Sequence, residues 1–364
     1  MLIDIIAGAR PNFMKIAPII DAIKAKQQRG SALKFRLVHT GQHYDKNMSG
    51  NFFKQLGIPE PDVNLGAGGG SQAEQTAAIM TRYEKLLMES PSELCLVVGD
   101  VTSTMACSIT AQKMHIPVGH VEAGIRSGDW TMPEEINRLV TDSITNYFFT
   151  TSETANSELY SSGVAREKIF FVGNTMIDTL LKQRPRFTKP AFWDEMKLQE
   201  RGYIVMTLHR PSNVDEESNL KKLIDEIIAY TRDLPLIFPV HPRTARILNE
   251  TGIQHKRLFL VEPLGYLEFN YLVERSKVVV TDSGGITEET TVMGIPCMTL
   301  RSSTERPETC TIGTNELLGI QPEAIGPAFE KLFSGNWKKG GIPEKWDGKA
   351  AQRIVDILDQ ISTS

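Results

Sequence analysis

The segment Val278–Glu289 combines groups suited to binding an anion and a sugar. An apolar, β-branched run ends in Asp282-Ser283-Gly284-Gly285, and a helical pattern begins at once, which is typical of a parallel strand, a tight turn and a helix N-terminus. The glycines let backbone N–H groups approach a ligand, and a helix start favours an anion such as a diphosphate. About one turn later, Glu289 can accept hydrogen bonds from sugar hydroxyls. The segment indicates a nucleotide-linked sugar; an ordinary turn capped by Ser283 is the alternative.

Two carboxylates follow apolar strands in the first half of the chain. Asp100 comes after Leu96-Val97-Val98-Gly99, and Glu122 ends His120-Val121-Glu122. Because the carboxyl ends of parallel strands meet at one edge of a sheet, we expect both carboxylates to point into the same cleft. Grouped carboxylates often have separated pKa values, so that one acts as a base and the other as an acid.

Basic side chains flank two strand–helix turns. Arg10 and Lys15 lie on either side of Pro11, Asn12, Phe13 and Met14, and proline suits the first helical position. His209 and Arg210 follow the apolar run that ends at Leu208. These groups could contact a phosphate or a leaving group. The alternatives are two solvated charges on a capped helix and a structural histidine.

Three further charged residues have a less distinct context. Glu134 and Arg138 are four residues apart on one predicted helix face, for which a surface ion pair is the ordinary interpretation. Arg306 follows the predicted strand Cys297–Leu300 and could reach the same cleft.

Several familiar motifs are missing from the sequence. It contains no Walker P-loop, no G-x-G-x-x-G between a strand and a helix, no H-E-x-x-H and no G-x-S-x-G. His39 and His43 have H-x-x-x-H spacing, but they follow a strand rather than lie on a helix, so we do not predict a metal site there.

Composition narrows the functional class. The net charge of −4 gives no basic excess for nucleic acid, and no apolar run reaches the roughly 18 residues of a membrane span. The four cysteines are scattered without C-x-x-C spacing, which favours a reducing cytoplasm over a disulfide framework.

Length and pattern predict two domains. A chain of 364 residues exceeds the roughly 250–300 residues of a single core. Strand-like and helical runs alternate in both halves, which predicts two parallel sheets with helices on both faces. The predicted strands include Leu2–Ala7, Val118–Val121, Tyr147–Thr150, Leu258–Val261 and Val278–Thr281. We expect an N-terminal Rossmann-like domain over 1–180, a C-terminal one over 181–348 facing it across a cleft, and a final helix over 349–364 that packs on either domain.

Eight motifs together resemble one known family. Each is weak alone, but they occur in this order: Gly8-Ala9-Arg10-Pro11, His39-Thr40-Gly41-Gln42-His43, Gly99-Asp100, His120-Val121-Glu122-Ala123-Gly124-Ile125-Arg126-Ser127-Gly128-Asp129, Pro133-Glu134-Glu135-Ile136-Asn137-Arg138, Val172-Gly173-Asn174-Thr175, Asp282-Ser283-Gly284-Gly285 with Glu288-Glu289, and Thr304-Glu305-Arg306-Pro307-Glu308. The set resembles the non-hydrolysing UDP-N-acetylglucosamine 2-epimerase family over nearly the whole chain.

The resemblance implies a glycosyltransferase-B-like fold, a UDP-sugar substrate, no cofactor (neither nicotinamide nor metal) and a homodimer. From the composition we expect no nucleic acid or membrane partner and a cytoplasmic location. The resemblance also implies a reaction in which a base removes the C2 proton as UDP leaves C1, and UDP then returns to the 2-acetamidoglucal. Catalytic positions carried over by motif are Asp100, Glu122, Glu134, Arg138 and His209. Substrate-binding positions are Arg10, Lys15, Phe269, Ser283, Gly284, Gly285, Glu289 and Arg306.

The chain departs from the family pattern at three places. It has Leu208-His209-Arg210-Pro211-Ser212-Asn213 where Gly-His-Arg-Arg-Glu is common, Leu264 where a glutamine is common near the uracil, and Gly68-Gly69-Gly70-Ser71 where allosterically activated members carry an arginine. Allostery and the exact sugar therefore stay open, a 2,3-diacetamido uronic acid being the alternative. A UDP-sugar glycosyltransferase and a catalytically silent sugar-nucleotide-binding regulator are rival functions, against which the carboxylates Asp100, Glu122 and Glu134 argue.

Overall fold

The chain divides into two compact units. The computed structural model describes residues 1–41, 56–210, 213, 217–240, 248 and 255–363, and at positions 10 and 217–219 the backbone alone. The first unit comprises Met1–Lys182 with Glu344–Ser364, and the second comprises Gln183–Pro343. Each contains a parallel sheet whose strands alternate with helices. The predicted class, two doubly wound, Rossmann-like α/β domains, is confirmed.

The sheet of the first unit is parallel throughout its described strands. These are β1 (Leu2–Ala7), β2 (Lys34–His39), β3 (Val63–Asn64), β4 (Leu94–Val98), β5 (Val118–Val121), β6 (Tyr147–Thr150) and β7 (Ile169–Phe171). Their order is β3-β2-β1-β4-β5-β6-β7. The order reverses between β1 and β4, and ligands of open α/β sheets bind beyond the carboxyl ends of the strands at such a point.

Helices connect these strands. They are α1 (Arg10–Gln27), α2 (Gln72–Glu89), α3 (Thr102–Lys113), α4 (Pro133–Ser143), α5 (Glu153–Ser161) and α6 (Thr175–Gln183), with a 3₁₀ turn at Arg166–Lys168. Local sequence fixes their starts. Proline lies in the first turn of α1 and of α4. At α2, Ser71 and Glu74 form a capping box, in which each side chain accepts the other's backbone N–H.

The core of the first unit explains its apolar runs. All five residues of β4 are buried, because helices cover both faces of a parallel sheet. Side chains of α2 and α3 pack on one face, among them Ile79, Tyr83 and Cys107. The carboxyl ends of β4 and β5 are thus held rigidly at the point where Asp100 and Glu122 follow.

The second unit repeats this architecture. Its described strands are β8 (Ile204–Thr207), β9 (Leu236–Pro239), β10 (Leu258–Val261), β11 (Val278–Thr281), β12 (Cys297–Thr299) and β13 (Asn315–Leu317). They are parallel, in the order β10-β9-β8-β11-β12-β13. The order reverses between β8 and β11, so His209 and Ser283 both follow strands at this second reversal.

Helices also connect the strands of the second unit. They are α7 (Phe192–Glu195), α8 (Glu217–Tyr230), α9 (Tyr266–Arg275), α10 (Gly284–Met293), α11 (Pro307–Thr311) and α12 (Ile325–Phe333), with 3₁₀ turns at Arg184–Arg186 and Pro322–Ala324. At the end of α10, Gly294 adopts φ 70°, a left-handed C-cap that glycine adopts without strain. None of the described helices is both long and apolar enough to cross a membrane.

The last helix, α13 (Ala350–Thr363), belongs to the first unit. Its first amides, those of Ala350 and Ala351, donate to the two carboxylate oxygens of Asp178 at 3.1 and 2.7 Å. Lys26 of α1 pairs with Asp356 at 2.8 Å and with Asp359 at 3.2 Å. A buried cap and a surface ion pair therefore attach this helix to the unit.

Replacing Asp178 with alanine is expected to loosen the start of α13, because two buried N–H donors lose their acceptor at a local cost of about 1–3 kcal/mol. Hydrogen exchange at Ala350 and Ala351 measures the effect. The control is Asp356→Ala, which removes a surface ion pair worth about 0–1 kcal/mol. Equal exchange rates in the two variants would contradict the capping role of Asp178.

Candidate active site

Two predicted carboxylates of the first unit lie beyond β4 and β5. The Glu122 carboxylate, 3% exposed, binds the Lys15 ammonium at 2.7 Å. A Cβ built on Gly99 would lie 3.1 Å from Lys15 Nζ and 3.9 Å from Glu122 Oε2, so the turn that precedes Asp100 contacts the same pair. The structure thus brings Lys15, Glu122 and the Gly99–Asp100 turn together, as the strand order predicts.

The backbone at Glu122 is strained. Its φ is 71°, in the left-handed region that a non-glycine residue rarely adopts. The N–H groups of Glu122 and Ala123 both donate to the carbonyl of Phe149, at 3.0 and 3.2 Å. Strain of this kind persists only where surrounding contacts fix it, and it is concentrated at functional sites.

Arg138 is buried and faces Asp100. Its guanidinium lies 3.5 Å from the Asp100 carboxylate and 3.2 Å from that of Glu135. Because Arg138 is 2% exposed, the surface ion-pair interpretation of Glu134 and Arg138 is wrong. Asp100 keeps 37% of its side chain exposed, so it can reach a substrate. Glu134 is half-buried in the first turn of α4.

Asn12 is a residue of this site that the sequence pattern did not reveal. Its side-chain oxygen accepts the N–H groups of Gly8 and Ala9 at 3.1 and 3.0 Å, and its amide donates to the Val98 carbonyl at 2.9 Å. Asn12 therefore ties the turn after β1 to the end of β4. The predicted side chain of Arg10 lies outside the part that the structure describes.

In the second unit, α10 begins as predicted at Gly284. Ser283 is the N-cap, but its side chain makes no capping bond, so the capped-turn interpretation is wrong. The Ser283 N–H donates to Thr281 Oγ1 at 3.0 Å. The amides at the start of an α-helix lack partners within the helix and can bind an anion. A Cβ on Gly284 would meet ordinary contacts, the nearest at 3.6 Å, so packing does not explain this glycine.

Glu289 is a buried carboxyl group within α10. It is 4% exposed, and its Oε1 accepts the hydroxyl of Tyr266 at 2.7 Å. Burial raises the pKa of Glu289 to about 7, although the bond from Tyr266 favours the ionised form. A ligand that donates hydrogen bonds to this group would shift it toward the carboxylate.

The remaining predicted residues of the second unit lie on neighbouring elements. Buried Arg306 pairs with Glu288 of α10. Phe269 is half-buried on α9, the helix that carries Tyr266.

His209 lies above a buried acid, Asp282, that sequence reasoning did not single out. Asp282 is 0% exposed, and His209 Nδ1 lies 2.7 Å from its carboxylate. That carboxylate also accepts the N–H groups of His209 and Arg210 and the amide of Asn213. Burial alone would raise the pKa of Asp282, but these bonds hold it below its ordinary value. His209 itself is exposed and fixed next to the α10 start.

The histidine pair considered in the sequence is only partly described. His43 lies outside the described residues. His39 is buried, and its Nδ1 accepts the Gly41 N–H at 2.9 Å. Burial lowers the pKa of His39 to about 4, so its ring is neutral at physiological pH.

Comparison with known proteins agrees with this architecture. The family model described as UDP-N-acetylglucosamine 2-epimerase matches residues 25–359. The UDP-N-acetylglucosamine 2-epimerase of Methanocaldococcus jannaschii is 38% identical, over 98% of this chain and 99% of its own. The UDP-2,3-diacetamido-2,3-dideoxy-D-glucuronate 2-epimerase of Pseudomonas aeruginosa is also 38% identical, over 99% and 100%.

A solved structure extends the match to three dimensions. The crystal structure of the M. jannaschii UDP-GlcNAc 2-epimerase in complex with UDP-GlcNAc and UDP has a TM-score of 0.88 and 37% identity, and the match covers 99% of this chain and 100% of that one. This likeness confirms the predicted glycosyltransferase-B-like fold class. On sequence and structure alike, the chain belongs to the UDP-N-acetylglucosamine 2-epimerase family.

Proposed function

We propose that this chain interconverts UDP-N-acetylglucosamine and UDP-N-acetylmannosamine, an isomerase reaction that inverts C2 of the sugar. One observation carries the proposal. Asp100 and Glu122 follow two adjacent parallel strands, each next to a cation, Arg138 for Asp100 and Lys15 for Glu122. Proton transfer needs positioned acid and base groups of this kind, and the relatives that match over the whole chain are 2-epimerases.

The chemistry is an elimination followed by an addition. The C2 hydrogen is weakly acidic, so its removal is coupled to departure of the leaving group. A base takes the C2 proton, and the electrons of the broken C2–H bond form the C1–C2 double bond. UDP leaves C1 with the electron pair of the C1–O bond. UDP then returns to C1 as an acid delivers a proton to the opposite face of C2. The two transfers are assigned to two of Asp100, Glu122 and Glu134.

The departing diphosphate needs positive charge. Lys15, Arg10 and Arg138 are the proposed cationic partners, and His209 and the amides that open α10 are proposed hydrogen-bond donors. The site must also exclude water and retain the intermediate, because an unprotected glycal would escape into solvent.

The nucleotide is assigned to the second unit. Gly284 and Gly285 present backbone amides to the diphosphate, beside Ser283, and Glu289 accepts hydrogen bonds from the ribose. Arg306 and Phe269 complete the proposed binding set. Supporting this, Gly284 has neither a positive φ nor a packing contact that demands glycine, so room for a ligand is the remaining reason for it.

A second sugar is a specific alternative. The P. aeruginosa diacetamido-glucuronate epimerase is as identical to this chain as the M. jannaschii enzyme.

The proposal also includes a homodimer, which the family resemblance supports, and a cytoplasmic location, which four thiols without a disulfide support. Light scattering of the purified protein tests the dimer.

Incubation in heavy water tests the reaction. UDP-N-acetylglucosamine is expected to gain deuterium at C2 and to equilibrate with its C2 epimer, as followed by proton NMR. If only a 2,3-diacetamido uronic acid nucleotide gains deuterium, the proposed substrate is wrong and the proposed type of reaction is right. Exchange with neither would refute the proposed function, and transfer of the sugar to an acceptor without exchange would establish a glycosyltransferase.

Variants in the same assay assign the proton transfers. Asp100→Asn, Glu122→Gln and Glu134→Gln are each expected to lower turnover by about 10²- to 10⁴-fold, with UDP affinity retained. The control is Glu93→Gln, an exposed carboxylate at the amino end of β4. Near-normal turnover in a variant would show that the replaced residue takes no part in proton transfer. Near-normal turnover in all three variants would contradict the mechanism.

UDP binding at pH 7 is expected to release protons from Glu289. Its pKa is raised to about 7, so roughly half of these groups are protonated before binding, and donation by ribose hydroxyls favours the ionised form. Calorimetry in two buffers of different ionisation enthalpy counts the protons. Glu289→Gln should release about half a proton fewer than the wild type and bind UDP more weakly. Equal proton counts in the two proteins would contradict the ionisation of Glu289 on binding, and unchanged UDP affinity in Glu289→Gln would contradict the ribose assignment.

A further inference from the structure

Asp142 is a buried carboxylate in the last turn of α4 and is not one of the residues assigned to proton transfer or substrate binding. Its Oδ1 lies 2.7 Å from Nδ1 of His120, and its Oδ2 accepts the Gly124 N–H at 3.0 Å. The Arg126 guanidinium lies 2.6 Å from the same Oδ2. Burial alone would raise the pKa of Asp142, but the charges and hydrogen bonds of His120 and Arg126 hold it below its ordinary value. The group is therefore a fixed anion.

His120 extends this contact to the neighbouring strand. It is 0% exposed, and its Nε2 lies 2.8 Å from the Gly99 carbonyl oxygen. A carbonyl can only accept, so Nε2 donates, and Nδ1 donates to the ionised Asp142. One carboxylate thus reaches two turns: the Gly99–Asp100 turn through His120, and the Glu122–Gly124 turn directly.

We infer that Asp142 and His120 are positioning residues for Asp100 and Glu122, which they hold at a fixed separation by anchoring the backbone of both turns. The inference rests on the proposed function, since it assumes that Asp100 and Glu122 transfer protons. Neither Asp142 nor His120 contacts substrate in this account. Both act through hydrogen bonds to the backbone next to the reacting carboxylates.

The geometry at Glu122 shows why such an anchor is needed. Glu122 has a φ of 71°, a conformation that the chain keeps only when its neighbours enforce it. The bond from Gly124 N–H to Asp142 fixes the turn two residues later. A Cβ on Gly124 would lie 2.4 Å from the Ala155 carbonyl oxygen, so the turn packs directly on α5. Loss of the Asp142 anchor releases one side of a strained turn.

Asp142→Ala is expected to lower kcat by about 100-fold, the typical consequence of misplacing a reacting group by about 1 Å. Its UDP affinity should stay within about two-fold of the wild type, because the nucleotide groups lie on other elements. Asp142→Asn should lose less than about ten-fold in kcat. The asparagine oxygen still accepts the Gly124 N–H, and its amide donates to His120 Nδ1, which leaves Nε2–H on the Gly99 carbonyl.

A matched control separates positioning from folding. Asp4 is also a fully buried carboxylate of the first unit, bound by Arg36 at 2.7 and 2.8 Å and by the Tyr83 hydroxyl at 3.0 Å. Asp4→Ala removes a comparable ionic cluster that touches neither turn, so it should lower the melting temperature and keep kcat per folded molecule. Equal loss of kcat in Asp4→Ala and Asp142→Ala would show a merely structural role and overturn the inference. So would a kcat within about three-fold of the wild type in Asp142→Ala.

A second variant and crystal structures of the variants provide further tests of the inference. If Asp142→Ala does not fold, His120→Gln replaces it, because one terminal amide cannot reach both the Asp142 carboxylate and the Gly99 carbonyl, to which the two imidazole nitrogens point in diverging directions. Crystal structures of the variants test the positioning directly. The φ of Glu122 should move out of the left-handed region in Asp142→Ala and stay in that region in Asp142→Asn. A wild type that turns over neither sugar refutes the proposed function alone, whereas an unmoved Glu122 turn refutes the inference alone.

Discussion

Charge buried at the carboxyl ends of parallel strands is the constraint on which this structure depends. The buried strands β4 and β5 end just before Asp100 and Glu122, and an uncompensated charge at the buried Glu122 would be very costly. The carboxylate of Glu122 is therefore paired with Lys15 at 2.7 Å, and the guanidinium of Arg138 with Glu135 and Asp100. The same pairs place acids beside cations, which is the arrangement that proton transfer at a carbon next to a leaving diphosphate requires.

The two units fix their loops by the same physical means. A buried carboxylate accepts backbone N–H groups of the turn that follows a neighbouring strand: Asp142 holds the turn after β5, and Asp282 holds the turn after β8. In each case the carboxylate also contacts a histidine ring at 2.7 Å. In the first unit that ring is buried and bridges to a second turn, whereas His209 is 64% exposed and is available to a ligand.

The sequence predicts most strands of each sheet well, because buried parallel strands are mostly apolar runs. Five of the predicted strands, Leu2–Ala7, Val118–Val121, Tyr147–Thr150, Leu258–Val261 and Val278–Thr281, have the observed bounds. The two- and three-residue edge strands β3, β7 and β13 escaped prediction, since they are too short to show a period. Asp142 and Asp282 escaped as site residues because they bind backbone amides of other elements, which no spacing along the chain encodes. Asn12 escaped because its amide donates to the Val98 carbonyl at the end of another strand. The same absence of tertiary context made the buried Arg138 look like a surface ion-pair partner.

In the proposed reaction, UDP separates from C1 while the carboxylates move a proton at C2. Positional isotope exchange tests this separation most directly, with a heavy-oxygen label in the bridge between C1 and the β-phosphorus of UDP-N-acetylglucosamine. A free diphosphate can rotate before it returns, so NMR should show the label moving into the non-bridging β-phosphate positions in the recovered substrate. A bridge that keeps its label while C2 exchanges with solvent would contradict elimination and require inversion at an intact sugar nucleotide.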